Sequence, residues 1–361
     1  MADPKSAALT RDSRTSELPA VARGHLDAMS NEIGVWQHAI GGLPNVAFGF
    51  CTDDVARALV VDVLHARQLG WAPVAESAAR SVRFLEDAFV PEGRLFRNFR
   101  DAAGDWLDSG GSEDCQARAL CGLAAVAAEG GDSALAERAE RLFALALPAA
   151  RSMTALRPIA AAILACDAAL GGGIDGETAD VERILVAKLM AAFDDADSAR
   201  DWPWPQPVLT YENAILPRAM LVAGKRMDDP RMVELGCAVL DWLIEVQTST
   251  DGAFSPIGNG WWPRGGVRSR FDQQPIEATT TLLAAEAAYA ATGEERYREA
   301  ARMAYLWFLG HNLLGVRLAD PASGGCFDAL TPQGVNPNQG AESTLMWLTA
   351  LEHMRNLSSR P

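Results

Sequence analysis

From about Glu17 onward the chain alternates between two apolar patterns. One repeats with the 3.6-residue period of an amphipathic helix; the other is apolar on most sides, as in a helix buried all round. Strand-like alternation is scarce. The first helical stretch runs from Leu18 to Ile40, with breaks near Ser30 and Gly34, and the first apolar helix from Asp53 to Gln68. Ala75–Phe89, Ala134–Leu147, Ala179–Phe193, Arg231–Gln247 and Tyr297–Leu309 read as amphipathic. Glu113–Ala128, Thr154–Ala169, Ala214–Ala223, Ile276–Ala291 and Ala341–Met354 read as apolar. Thr52 and Ser112 stand where N-caps are needed, and Pro275 suits the first position of its helix.

Six such pairs predict an all-α fold, an (α/α)6 barrel with six buried inner helices ringed by six outer ones. The domain is expected over residues 17–361, after a flexible tail over 1–16. Turns from apolar to amphipathic helices are short (QLGWAP, EGGDS, GKRMDDP, TGEER). The reverse connections are mostly long and carry Trp, Asn, Gln, Asp and Glu. In a barrel those long loops gather on one face, above the N-termini of the inner helices.

Composition narrows the function. A net charge of −15 argues against nucleic acid or an anionic membrane as partner. No run reaches membrane-spanning length. The N-terminus lacks the apolar core of a signal peptide. Six cysteines show no CxxC pair and no zinc-ligand spacing, so they read as free thiols. A cytoplasmic protein is the expectation. Without a Walker loop, a dinucleotide glycine fingerprint or HExxH, neither cofactor nor metal is expected.

The most informative loop spans Gly258–Ala278, GNGWWPRGGVRSRFDQQPIEA. Trp261 and Trp262 offer faces for stacking on sugar rings, and the polar groups around them suit hydroxyls. Tryptophans plugging the core are the competing reading. Gly265 and Gly266 are expected to act as joints that set this loop. Acids cluster at the starts of five inner helices: Asp53 and Asp54, Glu113 and Asp114, Glu212, Asp272 and Glu277, and Glu342. Any one of them could simply complement a helix N-terminus. Together, beside aromatic and amide side chains, they suit glycosidic cleavage, which takes one acid and one carboxylate.

The motifs FGFCTDDVARAL, GSEDCQARAL, LTYENAILPRAML, FSPIGNGWWPRGG, FDQQPIEA, GGCFDAL and NQGAEST resemble a bacterial family of (α/α)6-barrel proteins. That family is related to glycosidases, and some members are fused to glycosyltransferase domains. The resemblance spans about residues 45 to 351 and implies carbohydrate chemistry. Where the family pattern has Tyr-Asp-Asn, this chain has Tyr211-Glu212-Asn213. No transferase domain is expected here, since the chain runs out just after the sixth inner helix.

The leading expectation is an inverting glycoside hydrolase acting on an oligosaccharide. Asp114 and Asp272 are the first acid/base candidates, facing each other across the barrel mouth, with Glu212 and Glu342 next. Asp54, Arg118, Asn213, Gln273, Gln274 and Gln339 would bind hydroxyls, Trp261 and Trp262 would stack on rings, and Tyr211 and Arg264 complete the substrate set. A non-catalytic sugar-binding partner of a glycosyltransferase is one alternative. A sugar epimerase or isomerase using His38 and His311, at the ends of outer helices, is another.

Overall fold

The computed structural model describes residues 18–130, 133–194 and 201–359. The expected tail over 1–16 lies outside them. Twelve α-helices form among the described residues: α1 Gly24–Ala28, α2 Thr52–Leu69, α3 Ala75–Ala88, α4 Glu113–Glu129, α5 Ser133–Ala146, α6 Leu156–Gly171, α7 Thr178–Asp194, α8 Ile215–Met227, α9 Pro230–Val246, α10 Pro275–Thr292, α11 Glu295–Phe308 and α12 Ala341–Ser359. The even-numbered helices pack side by side in chain order, and α12 closes on α2. The odd-numbered helices lie outside this ring, α3 on α2 and so on round to α1 on α12. The fold is therefore the (α/α)6 barrel that the alternating pattern predicts.

Burial follows that pattern. On α10 every residue from Pro275 to Ala285 is buried, as an apolar helix held between neighbours requires. On α3 the buried residues Ala78, Ser81, Val82, Phe84, Leu85 and Ala88 form one stripe at helical spacing. The helix starts are capped locally. Ser112 Oγ accepts the Cys115 N–H at 3.3 Å, and Pro275 opens α10. Thr52 does not cap α2. Cys51 takes that place, its sulfur accepting the Asp54 N–H at 3.4 Å, while Thr52 Oγ1 donates to Arg97 O across the loop at 2.6 Å.

The first outer helix departs furthest from expectation. Only the five residues of α1 are helical, and the chain then doubles back through short β-bridges before α2. Asn31 Oδ1 accepts the N–H groups of Ile33 and Gly34, a local bond that competes with helix continuation. Gly34 then lets the chain press against the core: a Cβ there would lie 3.2 Å from Val55 and 3.4 Å from Phe50 and Phe84.

The long loops gather on the face where the inner helices begin, and they are tied to one another. Residues 50–51 pair with 99–100, joining the loops before α2 and α4. Residues 208–209 pair with 262–263, joining those before α8 and α10. Gln273 bridges to Leu330, joining those before α10 and α12.

Candidate active site

A cavity of about 310 Å³ opens at this face. It lies between the first turns of the inner helices, lined by Asp53, Arg57, Ser112, Asp114, Arg118, Tyr211, Asn259, Trp261, Gln274, Ile276 and Glu342. Three carboxylates thus meet in one concave site with two arginines, a phenol, two amides and an indole. That is the size and mixture of a small-molecule pocket.

The carboxylates differ in their surroundings. Burial raises the pKa of Asp53, and the charges of Asp114 and Glu342 add to the rise while Arg57 and Arg118 oppose it. Asp53 Oδ1 is buried with no hydrogen-bond partner. Asp114 accepts a hydrogen bond from the Tyr211 hydroxyl at 2.9 Å. Glu342 pairs with Arg57 at 2.9 Å and stays partly open to solvent.

Arg57 and Arg118 occupy equivalent places. Each lies four residues after an acid of the cavity, Asp53 and Asp114, so acid and arginine share one helix face a turn apart. Arg118 pairs with the buried Glu212, and Arg57 reaches both Glu342 and Asp54.

Tyr211 is delivered by a scaffold beneath it. Arg157, the residue α6 offers in place of an acid, lies under the Tyr211 ring at 4.7 Å from its centroid. It donates to Tyr211 O, to Gln206 Oε1 at 3.0 Å and to Asn213 Oδ1 at 2.9 Å. Glu277 completes the scaffold, accepting from the Glu212 N–H and, at 3.3 Å, from Asn213 Nδ2. Burial pushes the Glu277 carboxyl up to about 7, against these donors and Arg157. Glu212, Trp261 and Asp272 all have φ near +47 to +61°, a conformation that costs non-glycine residues about 1–3 kcal/mol and concentrates at functional sites.

Of the residues singled out from sequence, Asp114, Glu342, Arg118, Tyr211, Trp261 and Gln274 come together in the cavity. The others stand around it. Asp272 is exposed and is not among the lining residues. Its place in chain order fits, but the left-handed turn at this residue presents its carbonyl to Asn259 N at 3.0 Å. Glu212 and Asn213 are buried in the scaffold. Asp54 lies behind the cavity, accepting from the Cys51 thiol at 3.1 Å and from Arg57. Gln273 is wholly buried and receives the Trp307 indole N–H at 3.0 Å. Gln339 is held by its main chain, its carbonyl against His25 Nε2 at 2.9 Å. Arg264 is exposed beside Asp201 at 3.6 Å.

The two tryptophans separate. Trp261 is 46% exposed at the mouth. Trp262 turns away, stacked on Trp242 at 6.5 Å with Trp202 edge-on at 5.2 Å. The pair therefore divides, Trp262 packing against its aromatic neighbours and Trp261 left open at the cavity. Of the expected joints, Gly265 has φ +72° whereas Gly266 does not take positive φ. The close approach is at Gly258, where a Cβ would lie 1.7 Å from Phe271 O.

Arg57, Asn259 and Ile276 line the cavity without being singled out by the sequence, which marks Asp53 only among the helix-start acids and Ser112 only as an N-cap. The DxxxR spacing shared by α2 and α4 is the signal that marks Asp53 and Arg57. No histidine lines the cavity. His38 sits edge-on to Phe48 at 4.6 Å, and His311 is exposed. The six cysteines form no disulfide. Among the described residues no cluster of three or more His, Cys, Asp or Glu is placed to hold a metal ion, and no helix is long and apolar enough to cross a membrane.

No protein-family profile and no characterised protein matches the sequence. Solved structures do match in fold. Cellobiose 2-epimerase from Spirochaeta thermophila is 15% identical with a TM-score of 0.69, covering 92% of each chain. A D-mannose isomerase is 12% identical with a TM-score of 0.71, covering 91% of this chain and 93% of its own. The GH76 α-mannanase of Bacteroides thetaiotaomicron is 10% identical with a TM-score of 0.60, covering 86% and 87%. The fold is thus one used by sugar epimerases, sugar isomerases and glycosidases.

Proposed function

We propose that the chain is a carbohydrate-active enzyme, a glycoside hydrolase that cleaves an oligosaccharide at the α2–α4 side of the cavity. One observation carries this reading: Asp53, Asp114 and Glu342 converge in a single cavity that no histidine lines. Glycosidic cleavage needs a proton donor and a second carboxylate. Asp53 suits the donor, because burial keeps its proton on to a higher pH than an exposed aspartate would allow. Asp114, oriented by Tyr211, suits the base that activates water. Glu342 neutralises Arg57 at the rim. Trp261 offers a stacking face at the mouth, with Asn259, Gln274 and Ser112 for hydroxyls.

The reaction on this reading inverts the anomeric centre. Asp53 and Asp114 stand on neighbouring inner helices, whose axes pack about 8–10 Å apart. That spacing accommodates the roughly 6.5–9.5 Å that an inverting pair keeps for its water. Asp272, which lines no part of the cavity, has no role in it.

Epimerisation or isomerisation of a sugar is the second reading, supported by the likeness in fold to a sugar epimerase and a sugar isomerase. One experiment separates the two. The protein is incubated with an oligosaccharide panel in deuterated water and products are followed by proton NMR. Hydrolysis gives new reducing ends, first in inverted configuration, and Asp53→Asn and Asp114→Asn each slow it about a hundredfold or more. Deuterium at a sugar carbon without chain cleavage establishes epimerisation or isomerisation instead. A first-formed product of retained configuration refutes inversion. Nothing among the neighbours supports a glycosyltransferase partner.

A further inference from the structure

A second and larger cavity, about 510 Å³, lies inside the barrel below the first. Its upper end is formed by Arg57, Arg118 and Arg218, which occupy equivalent places in the inner-helix sequences VARAL, QARAL and LPRAML. Arg57 and Arg118 also line the upper cavity, so the two cavities share a floor made of arginine side chains. The walls below are mainly apolar, supplied by residues such as Val60, Leu164, Leu283 and Met346. The lower end reaches the C-termini of the inner helices at Arg67, Glu129 and the exposed Gly171 and Gly172. Arg57 to Arg67 spans ten helical residues, so the cavity is roughly 15 Å deep at 1.5 Å per residue.

The three arginines are not equally matched. Arg57 pairs with Glu342 and Asp54, and Arg118 with Glu212. Arg218 makes no hydrogen bond or ion pair among the described residues. Glu286, the acid that acts on it most, is engaged at 2.6 Å by His353. Glu286 and Glu212 act on Arg218 without pairing with it directly, and a guanidinium facing a mainly apolar chamber with no carboxylate bonded to it is favoured by a ligand that supplies one.

We propose that the axial cavity is a separate binding site for an amphipathic carboxylate of medium chain length. The carboxylate sits on Arg218 and the alkyl chain runs down the barrel axis toward the α2, α4 and α6 C-termini. The upper cavity, open at the other face, is left free for its own ligand.

Decanoate titrated into the whole protein in a calorimeter, well below its micellar concentration, tests this. One saturating site is expected, with Arg218→Met weakening it at least tenfold. Leu164→Trp, which fills the middle of the cavity, is expected to abolish it. Decanol should bind at least tenfold more weakly than decanoate to the unaltered protein, a comparison that needs no variant to fold. Equal affinity for decanol and decanoate would refute the role of Arg218. Binding that survives Leu164→Trp, or that exceeds one site without saturating, would refute the axial site.

Discussion

Replacing Arg157 by methionine tests whether the Tyr211 loop is held from below. The substitution keeps an apolar stem of similar length and removes the guanidinium. Three hydrogen bonds are lost, to Tyr211 O, Gln206 Oε1 and Asn213 Oδ1, together with the contact under the Tyr211 ring. Bonds from a charged donor contribute about 1.5–3 kcal/mol each, and the cation–π contact about 1 kcal/mol. Their simple sum overstates the loss, because one group makes them all and its burial is itself unfavourable, as the lowered Arg157 pKa records. We expect a net loss of about 3 kcal/mol. For 361 residues the entropy of unfolding is about 0.76 kcal/mol/K, so Tm should fall by about 4 °C. Calorimetry checks the shift, and hydrogen exchange of a peptide spanning 208–214 checks its location. The N–H of Glu212, held by Glu277, should exchange faster. An unchanged Tm with unchanged exchange in that peptide would refute the reasoning, and a global rise in exchange would place Arg157 in the core rather than in the scaffold.

Three further outcomes follow from the site. Burial raises the Asp54 carboxyl from 3.8 to about 7, so its contribution is fully present below pH 3.8 and is lost as pH rises through 7. The Tm of Asp54→Asn relative to the parent should therefore climb between about pH 4 and 7 and level off above, by the equivalent of at most about 4 kcal/mol; a flat difference would refute it. Trp261→Ala should weaken sugar binding about tenfold in a fluorescence titration while leaving Tm in place. Trp262→Ala should instead cost about 3 kcal/mol of stability, because it opens the stack with Trp202 and Trp242.

How far the chain can be read depends on the question. The barrel is legible because each inner helix is apolar on most sides, and the structure buries it accordingly, as it buries every residue of α10 from Pro275 to Ala285. The first outer helix is not, since one Asn31 side chain and the packing of Gly34 redirect a segment whose composition suits a helix. The level of the site is legible too, since chain order places the acids at the inner-helix starts. Which acid faces inward is another matter. Asp53 and Asp54 are adjacent and alike in composition, but successive helical residues point about 100° apart. Asp53 lines the cavity while Asp54 turns to Cys51. Adjacent residues also part ways outside the helices, at Trp261 and Trp262 and at Gln274 and its buried neighbour Gln273. At Asp272 a single left-handed residue undoes an otherwise sound inference from helix order.

The ties between rim loops have a consequence for engineering. Residues 208–209 cannot keep their partners if the 262–263 segment is exchanged, and the same interdependence links Gln273 with Leu330. Transplanting one loop from another barrel would leave unpaired main-chain groups at the seam. New specificities should therefore come more readily from point changes at Asn259, Trp261 or Gln274, or from swapping loops two at a time, than from grafting any loop alone.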